Sequence, residues 1–171
     1  WGFPVKDDRR LFEKLCLETF QSGLSWRTIL AKRDNFRSAF AGFDIAKVAR
    51  FGQREVDSLL ANEGIVRHRG KIEAVINNAQ RAEELIQNEG SLAAFVWRYE
   101  APNIEFAPQT VSTSAQSMAL SKALKARGWQ FVGPTTVFAF MQAMGLLNDH
   151  AEGCVIREKA SAARAAFEPP C

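Results

Sequence analysis

Apolar residues along this chain recur mostly at intervals of three and four, the period of helices with one buried face. After Asp7 and Asp8, the residues Leu11, Phe12, Leu15, Cys16 and Thr19 share a face, and Gly23 breaks the run. Ser25 stands where it can cap a second helix, in which Trp26, Ile29, Leu30, Phe36 and Phe40 repeat at helical spacing. Asp44 and Gln53 start two shorter helices, with Val48, Phe51, Val56, Leu59 and Leu60 as inward candidates. A longer helix follows "GIVRHRG", its apolar face made by Ile72, Val75, Ile76, Ala79 and Leu85. Residues 101–114, "APNIEFAPQTVSTS", carry two prolines and a polar cluster and read as the longest loop. Two further helices, roughly 115–127 and 134–146, flank "GWQFVG". With no alternating strand pair and no internal repeat in the pattern, the expected class is all-α.

Composition narrows the picture. At 171 residues, 47% hydrophobic and 24% charged, the chain suits one domain with a real core. No apolar run approaches a membrane span and no secretory signal opens the sequence, so no membrane partner is expected. Three cysteines far apart do not make a disulfide framework, which favours a reducing cytoplasm. A net charge of +3 permits a polyanionic partner without requiring one. The first residue is Trp1 and not methionine, so a processed or partial N-terminus is expected.

Three stretches carry candidate chemistry. In "SKALKARGWQFVGPTTVFAFMQAMG" a helix bearing Lys122, Lys125 and Arg127 ends at Gly128. Phe131 and Val132 then lead through Gly133 to Pro134 at the next helix start. Glycines on a sharp turn let a backbone come close, and the helix N-terminus behind them suits a phosphate. The stretch reads either as a helix-hairpin-helix gripping a DNA backbone or as an ordinary helix corner with a C-cap glycine. In "LETFQSGLSW", Glu18 lies beside Leu11 and Leu15, at the core rim as a solvated acid or reaching into a cavity. Trp26 follows the bend as core filler or, with Glu18, as a reader of a flat base. Leu24 projects from the break and could wedge into a base stack. In "NDHAEGC", His150 and Cys154 are spaced to aim at one metal, but two ligands do not close a tetrahedral zinc site.

Several stretches together resemble the bacterial DNA-3-methyladenine glycosylase I family of the helix-hairpin-helix glycosylase superfamily. They are Trp1-Gly2, "LFEKLCLETFQSGLSW", "GIVRHRGKIEAVINNA", "LSKALKARGWQFVGPTT" and "FMQAMGLLNDHAEGC", in the family's order. The resemblance covers residues 1–154, expected as a single glycosylase domain of two helical lobes around a base-binding cleft. Residues 155–171 form a divergent tail.

The resemblance implies hydrolytic excision of N3-methyladenine from alkylated double-stranded DNA, releasing free 3-methyladenine, by a monomer in the bacterial cytoplasm. It implies Glu18 as the acid that reads the base and Trp26 and Trp1 as stacking partners. Gln21, Gly23 and Leu24 would fill the gap in the duplex, while Phe131, Val132, Gly133, Thr135 and Thr136 would hold the DNA backbone. Where related glycosylases carry a catalytic Asp, "LLNDH" offers Asn148, with Asp149 adjacent as a candidate acid. The resemblance also implies a structural zinc that pins the chain ends, with His150 and Cys154 as one half of its ligands. The other half, and an aromatic that contacts the flipped base, would lie ahead of Trp1. Cys16, Cys171 and His68 are poor substitutes, and Tyr99 does not match the aromatic. "RHRG" reads as a helix start with solvated charges or as a DNA contact. The alternatives are a catalytically weak or inactive DNA-binding relative and a glycosylase for another lesion; Glu18 and Trp26 favour an enzyme, since backbone binding needs neither.

Overall fold

The first helix, α1 (Asp8–Gln21), begins at Asp7, whose carboxylate accepts from the Arg10 amide. Its stripe of Leu11, Phe12, Leu15, Cys16 and Thr19 is buried, as the pattern predicts. This is a computed structural model, and it describes residues 1–101 and 106–170. Of the expected loop, residues 102–105 lie outside the described residues, as does Cys171.

Gly23, at φ +80°, turns the chain, and Ser25 caps α2 (Trp26–Ala31) by accepting from the Thr28 amide. The pattern predicts one continuous helix from here; the structure has two, with α3 (Arg33–Ala39) following a kink at Lys32 (φ −100°, ψ 2°). Lys32 Nζ donates to the Glu63 carbonyl and Asn35 Nδ2 to that of Gly64, fixing α3 against the 62–64 turn. The kink sends Phe36 and Phe40 into the core and leaves Leu30 exposed, against the expectation for Leu30. Phe20, Phe36, Phe40 and Phe43 pack ring on ring, with centroids 4.6–6.4 Å apart. Truncating one such ring to alanine typically costs about 3–5 kcal/mol.

Asp44 caps α4 (Ile45–Val48) and Gln53 opens α5 (Gln53–Ala61), both where predicted. The long α6 (Arg69–Glu89) buries the predicted Ile72, Val75, Ile76, Ala79 and Leu85. Its cap is His68, whose Nδ1 accepts from the Lys71 amide, so "RHRG" is a helix start. Periodicity missed α7 (Leu92–Trp97), every residue of which is buried. A helix that is apolar all round has no polar face to reveal it. The two carboxylate oxygens of Asp8 accept from the Leu92 and Ala93 amides, joining the starts of α1 and α7.

Helices α8 (Ala115–Ala126) and α9 (Pro134–Ala143) flank the expected hairpin. The tail contains a helix of its own, α10 (Arg157–Ala165). Arg164 in α10 donates to the carbonyls of Gly145 and Ala101 and to the Glu100 carboxylate. Just beyond it, Phe167 tilts against Trp97.

The N-terminal segment runs along the end of α9, with the Gly2 amide on the Ala143 carbonyl and the Val5 amide on that of Met144. Gly145 (φ +78°) has to be a glycine here, because a Cβ would strike the Phe3–Pro4 backbone. Among the described residues the fold is all helical with no strand, and α1 packs on α2, α6, α7 and α9. A cleft opens between the α1–α2 bend and α9.

Candidate functional site

The cleft holds a cavity of about 190 Å³ lined by Trp1, Lys14, Glu18, Gln21, Trp26, Ala139 and Gln142. Four of the sequence's candidates, Glu18, Gln21, Trp26 and Trp1, therefore meet in one place. Glu18 is buried more deeply than a core-rim acid would be, at 5% exposure. Trp26 is half-buried and Trp1 is exposed, its ring edge-on to His150 at 4.7 Å. A larger groove of about 530 Å³ shares Trp1, Lys14 and Trp26 and continues along Arg10, Arg33 and Arg37, without Glu18 in its lining.

The pattern gave no notice of Lys14. It sits one helical turn before Glu18, with Nζ 2.7 Å from Glu18 Oε1 and 3.6 Å from the centre of the Trp26 ring. Burial pushes the Glu18 carboxyl above its ordinary value, opposed by the adjacent ammonium. Burial also pulls Lys14 below its ordinary value, opposed by the carboxylate. The i,i+4 spacing of the two residues is the sequence signal that could have found this pair.

The bend beside the cavity is braced from within. Gln21 Nε2 donates to the Leu24 carbonyl and the Leu24 amide returns to the Gln21 carbonyl, at 2.9 and 2.7 Å. Ser22, Gly23 and Leu24 stand exposed at its tip. Below them the buried Lys71 Nζ donates to the carbonyls of Phe20 and Ser22, closing the free end of α1. Lys71 also escaped the sequence reading, since its partners lie some fifty positions away, with separations of 51 and 49.

On the hairpin, α8 ends in a Schellman turn: the Trp129 amide reaches the Leu124 carbonyl and that of Gly128 reaches Lys125. Asn77 donates to the Gly128 carbonyl, and Asn78 both donates to the Gln130 carbonyl and accepts its amide. Phe131 is exposed with a left-handed φ of 54°, and Gly133 faces open space. Pro134 has no N–H, so the amides of Thr135 and Thr136 are the first-turn donors without an intrahelical acceptor. The Val132 side chain is buried and its carbonyl accepts the Ser121 hydroxyl, so its amide is the part that could serve this surface. Arg127 is also held back, paired to Glu89 and stacked over Phe95.

Neither Asn148 nor Asp149, the candidates after α9, lines the cavity. Asn148 donates to the Arg157 carbonyl and the Ser161 hydroxyl, tying down the tail. Asp149 is buried, accepting from the Gln109 amide and from Gln142 Nε2, and so orients a cavity-lining residue. Tyr99 packs on Phe95 away from the cavity lining.

His150 and Cys154 come together, with Nδ1 3.7 Å from Sγ. That is close to the edge of about 3.5 Å expected of a tetrahedron with zinc's usual nitrogen and sulfur arms. Burial holds the imidazole below its ordinary pKa, in the neutral form that ligates metal. Nε2 is buried without a hydrogen-bond partner. The pair thus fits half of a zinc set, and among the described residues no group of three or more His, Cys, Asp or Glu gathers.

A family model described as methyladenine glycosylase matches residues 1–158. DNA-3-methyladenine glycosylase 1 of Escherichia coli (strain K12) is 48% identical over 160 residues, covering 90% of this chain and 85% of that protein. A solved structure on 3-methyladenine recognition by 3-methyladenine DNA glycosylase I from Staphylococcus aureus superposes with a TM-score of 0.84. It is 36% identical and covers 92% of this chain and 86% of its own. A tyrosine-to-phenylalanine variant of 3-methyladenine DNA glycosylase I, in complex with 3-methyladenine, gives 0.87 at 36% identity, covering 92% and 87%. With a match over nearly its whole length and a helical fold shared with these structures, the chain belongs to the methyladenine glycosylase family.

Proposed function

We propose that the chain removes N3-methyladenine from alkylated duplex DNA by hydrolysing the N-glycosidic bond after extruding the nucleotide. The observation that carries this reading is the meeting of a buried carboxylate, Glu18, and an indole face, Trp26, in a base-sized cleft beside an exposed, braced bend.

Methylation at N3 makes the base cationic, so it is already a good leaving group. The protein has to extrude the nucleotide, hold the charged ring and leave the oxocarbenium-like sugar open to water. Glu18 accepts from the exocyclic amine and favours the positive charge. Trp26, with Trp1 at the rim, offers a π face to the cation. Gln21, Gly23 and Leu24 take the space the base leaves. Phe131, Gly133, Thr135 and Thr136 meet the DNA backbone, through the free amides of the α9 start. Asn148 and Asp149 take no part in the chemistry, since both are spent on the tail and on Gln142.

The same reading gives a monomer whose catalytic unit is residues 1–154, braced by the tail at 155–171. Among the described residues no helix is long and apolar enough to cross a membrane. His150 and Cys154 would hold a structural zinc together with two ligands from a segment ahead of Trp1, the residue whose ring packs on His150. Such a metal would tie the chain ends and take no part in the reaction.

The test is a duplex carrying one alkylated adenine, incubated with the protein and then cleaved by alkali at abasic sites. Strand scission dependent on the protein is the expected result. An intact strand under conditions where the protein binds the duplex would leave a DNA-binding relative without catalysis.

A further inference from the structure

The pocket that would read a cationic base already contains a cation. Lys14 contacts the same carboxylate and the same ring face that the base-reading role requires: its Nζ is 2.7 Å from Glu18 Oε1 and 3.6 Å from the Trp26 centroid. Its side chain is only 9% exposed, so the ammonium is held by these two groups and not by water. A base stacked on Trp26 and bonded to Glu18 cannot share that position with the ammonium. One of them has to leave.

We propose that Lys14 is an internal competitor for the base site, a specificity-determining residue that any incoming base must displace. The proposal rests on Glu18 and Trp26 being the base site. A neutral base can replace neither the ion pair nor the cation–π contact, and an ammonium moved out of this site leaves Glu18 buried without a counter-charge. A cationic base restores both contacts as it enters. Lys14 therefore raises the entry threshold for every base, and only a positively charged one recovers the difference.

The same competition acts on the product. When the C1′–N9 bond breaks, its electron pair stays on N9, so the methylated base leaves neutral. Water adds to C1′ and releases its proton to solvent. The charge that displaced Lys14 is gone after this step, and the ammonium can return to Glu18 and Trp26 and expel the free base. The lysine has the reach for this motion, with a flexible four-carbon stem on a fixed helix.

The test uses Lys14→Met, an unbranched, flexible side chain one atom shorter and without the charge, with Lys14→Arg as the variant that retains a cation. Free 3-methyladenine and free adenine, in a mildly alkaline buffer where both are neutral, are titrated by calorimetry against each folded protein. Lys14→Met should bind both roughly tenfold more tightly than the parent, the scale of a desolvated cation–π contact. Lys14→Arg should stay near the parent. Inhibition of turnover by added 3-methyladenine should deepen by a similar factor in Lys14→Met. Equal or weaker binding by folded Lys14→Met would overturn the proposal and make Lys14 scaffold. If Lys14→Met does not fold, parent affinity for neutral bases that fails to rise at high pH, as Lys14 loses its proton, would overturn it. Binding that is the same in the parent and in Trp26→Ala would instead remove the base site itself, and the proposal with it.

Discussion

Replacing Glu18 by glutamine separates a reader of charge from a structural acid. Glutamine keeps the side-chain length and an acceptor oxygen for Lys14, now 2.7 Å away, but removes the negative charge. Both partners are nearly out of water, at 9% and 6% side-chain exposure, so screening is weak and the charge matters. Stability should fall by about 1–2 kcal/mol, the difference between a charge-assisted and a neutral bond to a buried ammonium. Excision should fall by about 1–3 kcal/mol, or roughly 5- to 150-fold, because the leaving group is already activated and only its recognition is weakened. The two effects part company in Lys14→Met/Glu18→Gln, which removes both charges: stability should recover, since an uncharged pair of similar volume replaces a buried ion pair. Excision should not. Burial also raises the Glu18 pKa, so excision by the parent should decline in acid at a pH above the ordinary carboxylate range, and Glu18→Gln should lack that limb. The assay is single-turnover excision on a duplex with one N3-methyladenine, beside urea denaturation of each protein. Equal rates for the parent and Glu18→Gln would show that the carboxylate is scaffold.

Three further outcomes follow from the geometry. Gly133→Asp should fold normally, because a Cβ there meets open space at an ordinary φ of −62°, yet it should weaken binding to damaged and undamaged duplex alike by about tenfold or more; fluorescence anisotropy showing undiminished binding would take the hairpin out of the interface. Lys71→Met should leave the Phe20 and Ser22 carbonyls without a donor, costing about 1–3 kcal/mol of stability and loosening the bend. Excision should drop while calorimetric affinity for free 3-methyladenine stays near that of the parent. Zinc should appear in elemental analysis at about one per chain when two further ligands precede Trp1, and His150→Ala should abolish it; residues 1–171 alone should hold it weakly.

The parts of this molecule that were legible in the sequence are those written locally. Ser25, Asp44 and His68 cap helices within three residues of themselves, and Gly23 and Gly128 mark turns that need a positive φ. The hairpin and the Glu18–Trp26 pair could be suspected because each lies within one short stretch. What stayed hidden is of two kinds. Helix α7 and the kink at Lys32 depend on burial and on distant carbonyls, which periodicity does not encode. Lys71 and Asp149 have ordinary polar side chains whose importance comes wholly from partners far along the chain. Lys14 is a middle case: its spacing to Glu18 was visible, but a lysine four positions before a glutamate usually means a solvated helix face, and only the closure of Trp26 over it makes it a pocket residue.

Hydrogen bonds link the side chains of Asn77, Asn78 and Ser121 to backbone atoms of residues 128–132 in the hairpin. Those bonds exist before any duplex arrives, so the turn that would meet a phosphate has little conformational freedom left to lose. An encounter with ordinary DNA then carries almost no ordering entropy in this segment. Contacts of that kind form and release quickly, with a free energy set by phosphate charge and salt and not by sequence. A protein built this way would sample one stretch of duplex after another through a rigid foot at the start of α9, leaving slow, selective steps to the pocket farther along that helix.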